Sequence, residues 1–150
     1  MENCIFCKIA NGEIDSARIW EDDEFVAILD VNPNTLGMAL VMPKAHYDSR
    51  VFDMPADVYG RFFAVAKIVA KILEKGMGVG RVALVMEGMG VNHAHLKLYP
   101  MHGVGKDFQE CWVGEKIFFE KYAGYISTQP GPQAELSELK KTAQKIKDKI

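Results

Sequence analysis

Residues 92–100 of this 150-residue chain read Asn-His-Ala-His-Leu-Lys-Leu-Tyr-Pro. Basic and apolar side chains alternate here, which is the pattern of a β-strand that is buried on one face. We therefore predict a strand over residues 91–98, with His93, His95 and Lys97 on one face. The apolar side chains of this stretch then face the core (Ala94, Leu96 and Leu98). A half-exposed strand that carries histidines by chance is the alternative, and the strict alternation disfavours it.

The basic face of this predicted strand suits chemistry on a phosphate group. Three side chains that can carry positive charge can meet a phosphate from one side, and a neutral imidazole can attack phosphorus to form a covalent phosphoramidate. The ordinary histidine pKa of about 6.5 leaves much of the imidazole neutral near neutral pH. His95 is therefore a candidate nucleophile, with Lys97 beside it.

Hydrophobic periodicity predicts an α+β fold in which helices pack on an antiparallel sheet. Short apolar runs at residues 25–29, 38–42 and 82–85 predict three further strands. A helix is predicted between Pro55 and Gly76, because apolar residues recur there at steps of three and four (Val58, Phe62, Val65, Val69 and Ile72). The same spacing predicts a C-terminal helix (Leu136, Leu139, Ala143, Ile146 and Ile150). Residues 116–125 fit either a helix or a strand.

The composition argues against several classes of protein. With 18 basic and 20 acidic residues, the net charge of -2 does not suit a general nucleic-acid coat. No apolar stretch has the length of a membrane span, and no secretion signal is visible at the N-terminus. The three cysteines do not fit a disulfide framework, because their number is odd. We therefore expect a reducing, cytoplasmic setting in which Cys111 is an ordinary buried thiol.

Cys4 and Cys7 form a Cys-x-x-Cys pair, which is half of a typical zinc site. His46 and His93 are the candidates for the two remaining ligands, since thiolates and imidazoles favour zinc over magnesium or calcium. We predict a structural zinc ion that ties the N-terminal segment to the histidine strand. In the alternative, the thiols are reduced and bind no metal, and His46 forms hydrogen bonds beside the active site. A redox role is weaker still, because no thioredoxin-like βαβ pattern surrounds the pair.

The histidine segment resembles the hallmark of the histidine triad (HIT) family, His-φ-His-φ-His-φ-φ with φ apolar, except that Lys97 stands at the third histidine. Three other stretches resemble the family in order and spacing: the Cys-Ile-Phe-Cys-Lys-Ile segment near the N-terminus, the hairpin over residues 20–31, and the Val-Met-Pro-Lys-Ala-His stretch that ends at His46. The resemblance covers most of the chain. We expect a single HIT-like domain over residues 1–150, with a C-terminal extension over residues 129–150.

The resemblance implies a homodimer with one continuous sheet, and a hydrolase or nucleotidyltransferase that acts at the α-phosphate of a purine nucleotide conjugate. His95 matches the family's nucleophile, which would form a nucleotidyl-histidine. Asp30 matches the carboxylate that binds the ribose hydroxyls. Five apolar residues match the walls of the base pocket, although on their own they read as core residues (Ile5, Phe6, Ile9, Ile28 and Val31). Lys97 and nearby backbone amides would stabilise the added negative charge.

The segment before the triad, residues 86–92, differs from the corresponding segment in the branch of the family best known for phosphoramidate hydrolysis. It is shorter here, and Met86, Met89 and Gly90 stand where that branch has an asparagine and a Gln-Ser pair that hold the phosphate and the leaving group. The uridylyltransferase branch of the family, which this chain also resembles, has glutamine at the position of Lys97. A residue other than histidine at this position is therefore compatible with catalysis. Two alternatives to the enzyme stay open: a zinc-stabilised nucleotide-binding module with little turnover, and a zinc-stabilised dimeric scaffold without a nucleotide. His102 is expected on the surface.

Overall fold

The computed structural model of the chain describes residues 4–110, 118, 120–122 and 131–149, and five strands of this part form one antiparallel sheet. Along the chain the elements are α1 (Ile5–Ala10), β1 (Arg18–Glu21), β2 (Phe25–Leu29), β3 (Ala39–Pro43), a 3-10 turn (Val51–Asp53), α2 (Ala56–Met77), β4 (Val82–Val85), β5 (Leu96–Pro100) and α3 (Leu136–Lys147). Across the sheet the order is β1-β2-β3-β5-β4, so β1 and β4 are the edge strands. The predicted α+β fold is confirmed.

The two faces of the sheet belong to two separate hydrophobic cores. Strands β2 and β3 are buried along their whole length, because helices cover both faces. Ala27 and Leu29 of β2 belong to the larger core, which also contains buried residues of α2 and α3. Val26 and Ile28, which point to the opposite face, pack with Phe6 of α1. In the described part of the chain, the sheet therefore separates a face covered by α2 and α3 from a face covered by the short helix α1.

Helix α2 confirms the periodicity predicted between Pro55 and Gly76, but the predicted end of the helix is wrong. The helix continues to Met77 and is capped by Gly78, whose φ of 67° lies in the left-handed region that glycine adopts without strain. Gly76 lies inside the last turn, where Ile146 of α3 packs on its backbone. A Cβ at Gly76 would lie only 2.6 Å from Ile146 Cγ2. Gly76 therefore serves helix packing.

The strand predicted over residues 91–98 is shifted, since β5 begins at Leu96 and ends at Pro100. Before it, the backbone turns: the His93 N–H donates to the Val91 carbonyl at 2.8 Å, and the Ala94 N–H donates to the Tyr47 carbonyl at 2.8 Å. The prediction that the apolar residues face the core is confirmed, since all three belong to the larger core (Ala94, Leu96 and Leu98). The histidines thus lie just before the strand.

The C-terminal helix is confirmed as α3, with Leu139, Ala143 and Ile146 buried in the larger core. It packs against α2 and β1. The predictions for Cys111, for Ile150 and for most of residues 116–125 fall outside the described residues. Among the residues that are described, no helix combines the length and the apolar character that crossing a bilayer requires.

Candidate active site and metal centre

His95 is buried beside the short helix α1, with only 5% of its surface exposed. Its Nδ1 lies 2.7 Å from the His93 carbonyl oxygen. Because a carbonyl can only accept, Nδ1 carries the proton and donates it, and Nε2 keeps its lone pair. The Phe6 ring of α1 lies edge-on to the imidazole at a centroid distance of 5.1 Å. The imidazole is therefore held in one orientation and one tautomer.

Burial lowers the pKa of His95 below the ordinary histidine value. The hydrogen bond to the His93 carbonyl opposes this, the Lys97 charge lowers the pKa further, and the charges of Asp30 and Glu87 raise it. The direction of the shift favours a neutral imidazole near neutral pH, which is the form that can act as a nucleophile.

Lys97 lies on β5 between two neighbouring strands, opposite Leu40 of β3 and Val85 of β4. Its ammonium nitrogen is 4.0 Å from Glu87 Oε2, and only 7% of the Glu87 side chain is exposed. We predicted Lys97 from the sequence but assigned no role to Glu87. The signal that could have found Glu87 is the register between β4 and β5, which the residue pattern does not reveal.

Asp30 follows the last residue of β2 and is partly buried. Its Oδ1 accepts the Asn32 N–H at 2.8 Å, which fixes the turn after the strand. Asp30 is close enough to His95 to raise its pKa. The structure therefore brings the predicted ribose ligand and the predicted nucleophile into one region.

The five predicted base-pocket residues divide into two groups. Phe6, Ile9 and Ile28 are buried in the core between α1 and the sheet. Ile5 and Val31 are 48% and 45% exposed. The first group packs in the core beneath the surface of the site, and the second group is accessible to a ligand.

Cys4, Cys7, His46 and His93 come together although they are far apart in the chain, and their ligand atoms all lie within 4.8 Å of one another. His93 Nδ1 lies 3.4 Å from Cys4 Sγ and 3.5 Å from Cys7 Sγ, and His46 Nδ1 lies 3.4 Å from Cys7 Sγ. Ligands at the corners of a tetrahedral zinc site, with bonds of about 2.0–2.3 Å, lie about 3.3–3.8 Å apart. Three of the separations lie in this range and none exceeds 4.8 Å, so the four side chains could close around such an ion with small shifts.

The outer nitrogens of both histidines have partners that turn Nδ1 toward the sulfur atoms. His93 Nε2 donates to the Pro43 carbonyl at 2.9 Å, and His46 Nε2 lies 3.5 Å from Asp48 Oδ1. The Asn92 side-chain amide in turn donates to Asp48 at 3.0 Å. Such outer partners orient metal-binding imidazoles. Asp48 and Asn92 were missed in the sequence, where nothing marks them as neighbours of His46.

Burial raises the pKa of the Cys7 thiol, and the neighbouring Cys4 sulfur raises it further. The Cys7 thiol therefore favours its protonated form when no cation is near. A bound divalent metal reverses this preference, because the thiolate is its ligand.

The HIT domain family model matches residues 11–107 of the chain. A protein named Protein hit from Bacillus subtilis is 36% identical over 116 residues, which cover 74% of this chain and 79% of the relative. An adenosine 5'-monophosphoramidase of Saccharomyces cerevisiae is 30% identical and covers 79% of this chain and 75% of its own. An adenylylsulfatase of Arabidopsis thaliana is 28% identical over 77% of this chain and 58% of its own length.

Solved structures share the fold. A hypothetical histidine triad nucleotide-binding protein of Sulfolobus tokodaii superposes with a TM-score of 0.73 at 24% identity, covering 97% of this chain and 91% of the other. A zinc-bound histidine triad family protein of Mycobacterium smegmatis gives a TM-score of 0.68 at 23% identity, covering 98% and 92%. Both matches extend beyond the region of the family model and include the C-terminal helix α3 in their range.

Proposed function

The chain belongs to the HIT domain family, and from this premise we propose that it hydrolyses nucleotide conjugates, with His95 as the nucleophile on the α-phosphorus. One observation carries the proposal: the His93 carbonyl fixes the proton on Nδ1 of His95, so the Nε2 lone pair is free. The relatives named as a monophosphoramidase and an adenylylsulfatase support an adenosine nucleotide as the substrate.

In the proposed reaction, Nε2 of His95 forms a bond to the α-phosphorus while the bond from phosphorus to the leaving group breaks. The leaving group departs with the electron pair of that bond and takes up a proton. Water then adds to the phosphorus, the bond to His95 breaks, and a nucleoside monophosphate and a neutral imidazole result. The two steps together consume one water molecule. Lys97 stabilises the negative charge that builds up on the phosphoryl oxygens.

Asp30 and the accessible apolar residues are proposed to bind the nucleoside. A carboxylate accepts hydrogen bonds from two hydroxyl groups of a ribose, and Asp30 already has its backbone fixed by the turn to Asn32. Ile5 and Val31 offer exposed apolar surface on which a purine base can pack. Because both side chains are apolar, they can pack against the face of a purine base whatever polar groups its edges carry.

The same four side chains that cluster beside α1 are proposed to bind one zinc ion: Cys4, Cys7, His46 and His93. The donor set of two sulfurs and two imidazole nitrogens is the set of a closed structural zinc site. When bound, zinc would cross-link α1 to the turn at His46 and to the backbone before β5. His93 is then a ligand, and His95 remains as the histidine that reacts.

We also propose a homodimer that forms through a shared sheet. The edge strand β4 supports this, because Leu84 on it is 42% exposed and unpaired strand edges accept a further strand. Light scattering after size-exclusion chromatography measures the mass. Leu84→Lys should lower the dimer fraction, and a monomeric wild type would overturn this part of the proposal.

A turnover screen tests the proposed function. Adenylated amines, dinucleoside polyphosphates and nucleotide sugars are incubated with the purified protein, and mass spectrometry detects a nucleotidylated chain after acid-free quenching. Hydrolysis with a trapped adduct at His95 is expected. Nucleotide binding without turnover would favour the binding module, and the absence of nucleotide binding would leave the zinc-stabilised scaffold.

A further inference from the structure

Glu87 is a buried carboxylate next to the nucleophile that the proposed reaction does not use. Val85 of β4 lies opposite Lys97 of β5. Glu87 follows the end of β4 by two residues, and its carboxylate lies beside Lys97, which is two residues from His95 in the chain. The Glu87 side chain is 93% buried, since 7% of it is exposed, and Oε2 lies 4.0 Å from the Lys97 ammonium.

The turn after Glu87 holds it in this place. Gly88 adopts a φ of 75°, which other residues rarely adopt, and a Cβ there would lie 2.7 Å from the Ser49 carbonyl oxygen. Ser49 is in turn bonded to Asn92, whose side-chain oxygen accepts its N–H at 3.0 Å. The chain around Glu87 is thus packed against the segment that leads into His93.

The described charges near His95 are unbalanced toward the negative sign. Lys97, Asp30 and Glu87 all act on the imidazole. Of the two carboxylates, Glu87 lies 4.0 Å from the Lys97 ammonium and offsets its charge. Lys97 and backbone amides can bind the anionic α-phosphate here. A second negative group on the substrate would lie near the Glu87 carboxylate and be repelled by it.

The two carboxylates lie on opposite sides of the nucleophile. Asp30 follows β2, which is separated from β5 by β3, whereas Glu87 follows β4, which pairs with the other edge of β5. If the nucleoside lies toward Asp30, the other substituent of the α-phosphorus extends toward the β4 side of the sheet. Among the described residues, Glu87 is the carboxylate in contact with Lys97 on that side.

We propose that Glu87 is a specificity-determining residue that selects substrates by the charge of the leaving group. With Lys97 it favours nucleotide conjugates whose leaving group is cationic or neutral, such as an amine, over conjugates whose leaving group is anionic, such as a sulfate or a polyphosphate. This inference rests on the proposed function, because it assigns the substrate class of the same site. A leaving amine departs with the electron pair of the P–N bond and takes up a proton, as in the reaction above.

Three adenosine 5'-phosphoramidates that share the P–N bond test this inference. The amine carries a neutral alkyl tail, a tail with a second, protonated amine, or a tail with a carboxylate. For the wild type, kcat/KM should fall in the order cationic, neutral, anionic, with about tenfold between neighbours, which is the scale of one like-charge contact near a protein surface. Glu87→Gln should bring the three values together, and Glu87→Asp should keep the order.

Asp53→Asn is the matched control, because it also removes one carboxylate, but one that is exposed and paired with Arg50 on the 3-10 turn. It should keep the wild-type order of the three substrates. A merely structural role of Glu87 would lower all three rates together and leave their order unchanged.

The outcomes separate the two proposals. If the wild type hydrolyses all three compounds at similar rates, or if Glu87→Gln keeps the wild-type order, the inference on Glu87 is overturned and the proposed hydrolase stands. If the wild type hydrolyses none of them and forms no adduct, the proposed function fails and the inference fails with it. If Glu87→Gln does not fold, equal rates of the wild type on the three compounds still overturn the inference, and Glu87→Asp still tests whether the carboxylate keeps the order.

Discussion

At the scale of the single residue, the orientation of His95 predicts the effect of removing it. His95→Ala should lower turnover by about a thousandfold or more, because the nucleophile is lost, while nucleotide binding persists on the Asp30 side. Rates and calorimetric binding of adenosine monophosphate measure the two effects. His102→Ala is the control, since His102 is exposed and its Nε2 donates to the Leu36 carbonyl, away from His95. Full hydrolysis by His95→Ala would exclude a covalent histidine intermediate.

Lys97 acts on the same imidazole through its charge. Lys97→Met should lower turnover by about one to three orders of magnitude, the scale of losing one electrostatic stabiliser. Because the Lys97 charge lowers the pKa of His95, its loss should move the acid limb of the pH–rate profile upward. Both quantities come from one set of pH–rate curves. If neither changes, the ammonium plays no part in the reaction.

At the scale of the element, helix α1 depends on its surroundings. It has only six residues, and its N-cap Cys4 forms no side-chain cap hydrogen bond, so its own helix propensity cannot maintain it. We expect about one zinc per chain in protein purified without chelator. Cys4→Ser or Cys7→Ser should lose the metal and lower Tm, because a metal that binds only the folded state stabilises that state. Elemental analysis that finds no zinc in the wild type would refute the metal centre.

Two glycines of helix α2 should respond oppositely to alanine, because only Gly76 lies at the contact with α3. Gly76→Ala places its Cβ 2.6 Å from Ile146 Cγ2, so α3 must shift, and we expect a loss of about 1–3 kcal/mol of stability. Gly60 has open space around its Cβ position, and Gly60→Ala should gain about 0.5–1 kcal/mol, since alanine suits a helix better. Denaturant unfolding of both variants measures this, and a stabilising Gly76→Ala would contradict the packing described.

How much could be predicted from the sequence depends on the range of the interactions involved. Strand β2 and helix α2 were predicted because their own side chains carry the periodicity. The start of β5 was not, because the N–H of Ala94 donates to the carbonyl of Tyr47, which lies in a distant part of the chain. The four proposed metal ligands were found through residue chemistry and family resemblance. Glu87, Asp48 and Asn92 were not, because only strand register and tertiary hydrogen bonds bring them to their sites.

At the scale of the whole molecule, the two faces of the sheet have separate roles. Helices α2 and α3 bury one face and provide the larger core. The other face carries α1, and there the cluster of Cys4, Cys7, His46 and His93 lies beside His95. The Phe6 ring contacts both His93 and His95. Loss of order at α1 would therefore affect the cluster and the nucleophile together, while the larger core would remain.

The two buried histidines predict how the stability of the whole molecule depends on pH. Burial lowers the pKa of His93 and of His95 in the folded chain. Below pH 6.5 the unfolded chain therefore binds protons that the folded chain does not, so the free energy of unfolding falls as the pH falls from 6.5 toward the folded pKa values. Each histidine contributes a slope of at most about 1.4 kcal/mol per pH unit.

Urea unfolding at pH 7.5, about 6 and about 5.5 measures this slope in the metal-free protein, where no ligand competes with protons. His95→Gln should reduce the slope by the share of one histidine, because glutamine does not titrate. The carboxylates of Asp15 and Glu21, whose pKa values are lowered by hydrogen bonds from Lys140 and Lys44, titrate below this window and should not contribute. An equal slope in wild type and His95→Gln would mean that His95 takes up a proton in the folded protein as readily as in the unfolded chain.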